Sequence, residues 1–141
     1  MIKFEKIPPD ILSRISAAGQ VLAEDERVVF GYLFGGLASG RVNPLSDADI
    51  AVFLNRTDSL AEYKLGLFDR LTAALGTAEL DLVVLNAAPI SLAGRVLQNK
   101  KLLADKEPFK RHEYESVTLR EFFDFRVKEE TLFARRYGIG R

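Results

Sequence analysis

A glycine pair followed closely by two spaced carboxylates is the feature that most constrains this chain. Residues 28–34 form a largely apolar run that predicts a buried strand. The run ends at Gly35-Gly36, where the missing side chains let the backbone approach a ligand closely. Asp47 and Asp49 begin the next apolar run, and side chains two residues apart on a strand share a face. The sequence therefore predicts two carboxylates beside a glycine turn.

A third carboxylate, Asp81, lies within a further apolar run of strand length, Glu79 to Leu85. If that strand lies beside the first two, Asp81 can complete a metal site with Asp47 and Asp49, or accept a proton from an incoming hydroxyl. Magnesium prefers oxygen ligands and usually takes one or two carboxylates together with substrate phosphates. Backbone N–H groups at a glycine turn attract phosphate. The pattern therefore predicts a site for magnesium and a nucleoside triphosphate.

Each of these residues also has a purely structural interpretation. The two glycines could form only a tight turn, and the carboxylates could cap or support the strands. Within an apolar strand, however, an unpaired carboxylate is costly, which favours a ligand at Asp49. Ser39 and Arg41 are candidate phosphate contacts, Arg41 through its planar fork of donors, and a solvated loop arginine is an equally good interpretation.

The pattern resembles the minimal nucleotidyltransferases of the DNA polymerase beta superfamily. The resemblance covers about Val28 to Asn86 and consists of Gly35-Gly36, ten intervening residues, Asp47-Ala48-Asp49, and a later strand with Asp81. One position departs, because Gly36 stands where the family usually has serine. The turn therefore lacks that hydroxyl but keeps its backbone donors.

The resemblance implies a function. Minimal nucleotidyltransferases commonly occur beside a small helical HEPN-family toxin and act as its antitoxin by attaching AMP to a tyrosine. It implies magnesium as the cofactor and ATP as the substrate. It also implies Asp47, Asp49 and Asp81 as catalytic and metal-binding residues. The residues implied to bind the nucleotide are Gly35, Gly36, Ser39 and Arg41.

Composition limits the partners. The chain has 20 basic and 20 acidic side chains among 141 residues, so no overall positive field favours nucleic acid on its own. It has no cysteine, which excludes disulfides and thiol catalysis. We see neither a signal-peptide core nor an apolar run long enough to span a bilayer, and we expect a cytoplasmic protein with no membrane contact. The sequence leaves homo-oligomer formation open.

Hydrophobic periodicity predicts a single α/β domain over 1–141, with a core over about 28–104. We expect a small mixed sheet with helices on one face and the three carboxylates on the other, open face. A long C-terminal helix is predicted from about Pro108 to Tyr137. The other predicted helices follow Pro8-Pro9-Asp10, span about 60–75 up to Gly76, and span 89–98, and an edge strand is predicted at 101–103.

A second class of function stays open. The chain could keep the nucleotidyltransferase fold with weak or no catalysis and sequester a partner protein through the apolar C-terminal helix. Gly36 in place of serine favours this alternative. A third interpretation, transfer to a small molecule such as an aminoglycoside, requires a drug-binding module that the sequence does not contain.

Overall fold

The computed structural model describes residues 10–39 and 48–138. The helices are α1 (Ile11–Glu24), α2 (Gly35–Ala38), α3 (Leu60–Leu75), α4 (Ile90–Gln98) and α5 (Pro108–Tyr137), with a 3₁₀ turn at Leu85–Ala87. The strands are β1 (Val28–Phe34), β2 (Ala48–Leu54), β3 (Leu80–Val84) and β4 (Lys100–Asp105). These bounds confirm the predicted order of elements and the long C-terminal helix.

The four strands form one mixed sheet in the order β3-β2-β1-β4. Strand β1 pairs antiparallel with β2 on one side and with β4 on the other, while β2 and β3 run parallel. The first six residues of β1 are all buried, because β1 has a strand on each side and helices above and below. The mixed α/β fold class predicted from the sequence is therefore confirmed.

Helices cover both faces of this sheet, which corrects the expectation of helices on one face and a fully open second face. Alternate strand residues enter two separate apolar clusters. One cluster joins Ile50, Val52 and Leu82 to α1 and α3. The other joins Ala51 and Val83 to α4 and to the first part of α5. Because side chains alternate along a strand, the two clusters lie on opposite faces.

A close contact between α4 and α5 helps to hold α5 on the second face. A Cβ placed on Gly94 of α4 would overlap the ring of Phe122, so glycine at this position lets the ring pack directly on the α4 backbone. Phe122 is buried and packs there without a competing side chain. Any larger residue at Gly94 would push Phe122, and with it α5, away from α4.

The far half of α5, residues 123–137, is largely exposed. The helix has 30 residues and is about 45 Å long, and its buried residues are Thr118 and Phe122. Beyond them the large apolar side chains are exposed: Phe123, Val127, Leu132, Phe133 and Tyr137. The predicted apolar face is therefore core in the first half of the helix and surface in the second.

In the described residues, no helix combines the length and the apolar character needed to cross a bilayer.

Candidate active site

One end of the sheet brings together the ends of all four strands. Asp49 of β2 is in register with Asp81 of β3, and Phe34 of β1 is in register with both Asp49 and Lys100 of β4. Residues in register on neighbouring strands point to the same face and lie about 5 Å apart. The row across the sheet is therefore Asp81, Asp49, Phe34 and Lys100.

The two carboxylates of this row are candidate ligands for a cation. Asp49 is partly buried and Asp81 is exposed. Two negative charges on adjacent strands repel each other unless a cation lies between them, and carboxylate oxygens are ligands that magnesium accepts. Among residues 10–39 and 48–138, no group of three or more Asp, Glu, His or Cys side chains is placed so that it could hold a metal ion. The third predicted ligand, Asp47, lies outside the described residues.

Gly35 occupies a position that only glycine fits well. Its φ is +73°, in the left-handed region, and a Cβ placed there would lie 2.5 Å from Oδ2 of Asp49. Both facts disfavour any other residue. The carboxylate of Asp49 thus lies directly against the glycine turn, which joins the two halves of the predicted motif in space. Gly36 lies within α2, a helical conformation that serine also adopts.

Asn99 is a residue of this site that the sequence did not reveal. It lies between α4 and β4, and its backbone carbonyl accepts a hydrogen bond from the Gly35 N–H at 3.2 Å. Its Nδ2 donates to the Gly35 carbonyl at 3.1 Å, and its Oδ1 accepts from the Ser39 hydroxyl at 2.9 Å. In sequence Asn99 resembles an ordinary turn residue, and only the pairing of β4 with β1 brings it to the glycine turn.

Of the two remaining predicted nucleotide contacts, Ser39 lies at the end of that turn. Ser39 follows α2 and is exposed, and its N–H donates to the carbonyls of Gly35 and Gly36. Its hydroxyl donates to Asn99, so the side chain supports the turn. Arg41 lies outside the described residues. A phosphate contact from either residue stays a prediction.

Next to this row of residues, a polar network connects β1 and β4 to α5. The Tyr32 hydroxyl donates to Glu115 at 2.6 Å, and Arg111 bridges Glu115 and Asp105. Burial, together with the hydrogen bond to Glu115, raises the pKa of Tyr32 far above its ordinary value. Tyr32 is therefore a neutral donor that anchors α5. Lys100 lies 3.8 Å from Glu115, so its charge is also engaged in this network.

This arrangement suits the transfer of a nucleotidyl group. A cation held by the carboxylates would neutralise a triphosphate, backbone donors at the glycine turn would approach its phosphates, and an exposed carboxylate could accept a proton. No thiol is available for a covalent intermediate, because the chain has no cysteine. Most of the catalysis would come from positioning and charge stabilisation.

Comparison with known families agrees with this chemistry. Residues 4–109 match the family described as polymerase beta, nucleotidyltransferase. The match covers more than half of the chain and includes the glycine turn and all three predicted carboxylates. The chain belongs to this family, which confirms the resemblance at the level of the superfamily. A comparison with curated protein sequences found no match.

Solved structures with a similar fold include toxin–antitoxin complexes. A chain from the structure of a tri-AMPylated Shewanella oneidensis HEPN toxin in complex with MNT antitoxin is 21% identical, with a TM-score of 0.67, over 89% of this chain and 97% of that one. A chain of the MntA–HepT complex is 22% identical, with a TM-score of 0.66, over 88% and 97%. A toxin–antitoxin structure with AMP-PNP matches at 25% identity and a TM-score of 0.60, over 88% and 94%.

Proposed function

We propose that this protein is a magnesium-dependent nucleotidyltransferase that moves AMP from ATP to a tyrosine hydroxyl of a HEPN-family toxin, and so acts as its antitoxin. The observation that carries the proposal is the in-register pair Asp49 and Asp81 beside the glycine turn at Gly35. This pair provides the carboxylates that a metal and a triphosphate require at adjacent positions.

In the proposed reaction, the oxygen of the acceptor hydroxyl attacks the α-phosphorus of ATP. The bond from that phosphorus to the bridging oxygen breaks, and pyrophosphate leaves. Asp49, Asp81 and Asp47 would hold magnesium, which neutralises charge on the triphosphate. Asp81, the exposed member of the described pair, accepts the hydroxyl proton. The turn would orient the phosphates through backbone donors from Gly36 onward, because the Gly35 N–H already donates to the Asn99 carbonyl.

The choice of acceptor rests on the similar structures. One contains a tri-AMPylated HEPN toxin beside its MNT antitoxin, and another contains AMP-PNP. The equal numbers of basic and acidic side chains give this chain no overall attraction to nucleic acid, which also favours a protein acceptor. A protein acceptor can bind the apolar side chains exposed on the far half of α5.

The test is AMP transfer measured by intact mass. The purified protein is incubated with ATP, magnesium and a candidate HEPN-family protein. We expect the partner to gain one or more AMP units with the wild type and none with Asp49→Asn or Asp81→Asn. Asp58→Asn is the matched control, because Asp58 is an exposed carboxylate in the loop after β2. Equal transfer by wild type and Asp49→Asn would contradict the proposal.

A second candidate function is supported by the exposed apolar half of α5. A catalytically weak protein of this fold could sequester its partner through Phe123, Val127 and Phe133, which are more than half exposed. Gly36 in place of the family serine agrees with weak catalysis. A stable complex in which the partner stays unmodified, with wild type and Asp49→Asn binding equally, would favour this candidate.

A further inference from the structure

The side chain of Asn99 bonds to both ends of the glycine turn and has no role in the reaction proposed above. Its amide satisfies two different groups of the turn, the Gly35 carbonyl through Nδ2 and the Ser39 hydroxyl through Oδ1. A donor and an acceptor on one planar group fit these partners at once. An aspartate would place a second oxygen against the Gly35 carbonyl, and an alanine would bind neither partner.

The backbone of Asn99 is fixed by the elements on either side of it. Its N–H donates to the Val96 carbonyl near the end of α4, and the next residue, Lys100, pairs with Phe34 of the neighbouring strand. Phe34 is followed directly by Gly35. The asparagine therefore connects the sheet to both ends of the turn, from Gly35 to Ser39.

The placement of the turn matters because Asp49 lies against it. With no Cβ at Gly35, the turn approaches Oδ2 of Asp49 closely, so a small rotation of the turn changes the space between its backbone donors and that carboxylate. Phosphate oxygens and a cation would share this space. A left-handed glycine has wide conformational freedom, and hydrogen bonds from outside the turn are needed to select one conformation.

We propose that Asn99 is a positioning residue for the nucleotide, acting through Gly35 and Ser39. It fixes the turn so that the backbone donors face the triphosphate while Asp49 faces the metal. The inference rests on the proposed function, since it assigns Asn99 a role in that same site. It predicts that removing the amide weakens nucleotide binding without unfolding the protein.

The experiment compares wild type, Asn99→Ala, Ser39→Ala and the double variant. Hydrogen–deuterium exchange reports on the amides of residues 35–39, and calorimetry with ATP and magnesium gives Kd below the melting temperature of every variant. Gln98→Ala is the control, because Gln98 is the exposed neighbour at the end of α4. With the HEPN acceptor, KM for ATP and kcat are measured separately.

We expect Asn99→Ala to speed exchange at 35–39 and to raise Kd about tenfold, because two polar contacts of the turn are lost. KM for ATP should rise more than kcat falls. Adding Asn99→Ala to Ser39→Ala should have a smaller effect than Asn99→Ala alone, because the two side chains share a hydrogen bond. Gln98→Ala should match wild type.

Two outcomes overturn this inference. Unchanged exchange at residues 35–39 in Asn99→Ala would mean that the amide does not hold the turn, whatever the nucleotide does. Faster exchange with an unchanged Kd would mean that the turn is held for stability alone. A wild type that binds no ATP contradicts the proposed function instead, and the exchange measurement still decides whether Asn99 positions the turn.

Discussion

Two acidic regions of this molecule use carboxylates in opposite ways. Asp25, just after α1, is 6% exposed. Its oxygens accept hydrogen bonds from Arg70 at 2.5 Å, from the Tyr63 hydroxyl at 2.8 Å and from the Arg27 backbone at 2.9 Å. Burial alone would raise the pKa of Asp25, but these hydrogen bonds outweigh it and hold the pKa below its ordinary value. This carboxylate attaches the end of α1 to α3.

The pair at the other end of the sheet has a different environment. The register neighbour of Asp49 is another carboxylate, Asp81, and the turn at Gly35 lies against Asp49. A carboxylate opposite an arginine stabilises the fold, whereas one opposite a second carboxylate favours an added cation. The register of Asp49 with a second carboxylate, rather than its degree of burial, makes it a candidate metal ligand.

The largest expected effect comes from Asp49→Ala. We expect AMP transfer to fall at least about a thousandfold, since the proposed ligand of the metal that would stabilise the charged transition state is lost. The melting temperature of the metal-free protein should stay level or rise, because a like charge beside Asp81 is removed. Intact mass measures the AMP transfer, and scanning calorimetry in EDTA measures the melting temperature of the metal-free protein. A fall of several degrees would make Asp49 a structural acceptor like Asp25.

Asp25→Ala should give the reverse result. The free energy of unfolding should fall by about 3 kcal/mol, because Arg70 and Tyr63 lose their shared acceptor. Affinity for ATP and magnesium should be unchanged at a temperature where the variant is folded. Denaturant unfolding provides the measurement. Asp58→Ala, at a carboxylate that is 67% exposed, should change stability by less than about 0.5 kcal/mol.

Gly35→Ala tests whether the turn and Asp49 contact each other as closely as the structure indicates. Strain at the positive φ and crowding of Oδ2 should together lower the free energy of unfolding by about 2 kcal/mol. In an Asp49→Ala background the crowding disappears, so the cost should drop to about 1 kcal/mol. Equal costs in the two backgrounds would show that Asp49 does not crowd this position.

The pH dependence of the free energy of unfolding should show how much the ionised Asp25 carboxylate stabilises the fold. Because its folded pKa is depressed, its stabilisation is complete above the unfolded pKa of about 4 and is lost as the pH falls through the folded value. The urea midpoint of the wild type should therefore fall more steeply below pH 4 than that of Asp25→Asn. Parallel curves would mean that the Arg70 contact adds nothing to stability.

The smallest effect is expected from Gly36→Ser. The residue lies in α2, so serine should change the free energy of unfolding by less than about 0.5 kcal/mol. The added hydroxyl should tighten ATP binding about threefold by offering one more hydrogen bond. An unchanged Kd in a stably folded variant would reject the idea that the missing hydroxyl limits this site.

The sequence predicted the elements well because periodicity and turn residues are local signals. The run Glu79 to Leu85 predicted β3, found at Leu80–Val84, and Gly76 correctly marked the end of α3. The sequence did not predict the face on which α4 packs. An amphipathic pattern over residues 89–98 shows that the helix has a buried side, but it does not show which face of the sheet that side contacts. The contacts of Asn99 were equally hidden, since they depend on pairing between β4 and β1.

The candidate site was predicted only as a set of residues. The spacing of Asp47 and Asp49 indicated one shared face, but the register of Asp81 with Asp49 follows from strand order. Asp47 and Arg41 lie outside the described residues, and their roles stay predictions. No local pattern shows that the carboxylate of Asp49 touches the turn.

The register of Asp49 and Asp81 also bears on how such a site survives divergence. The separation of the two residues is fixed by hydrogen bonding between adjacent backbones, about 5 Å in any sheet, and not by the particular side chains of the core. Neutral substitutions can therefore accumulate in the surrounding strands and helices while the carboxylates keep their spacing. The fold itself is shared at 21% identity with a TM-score of 0.67, which shows how much substitution this backbone geometry tolerates.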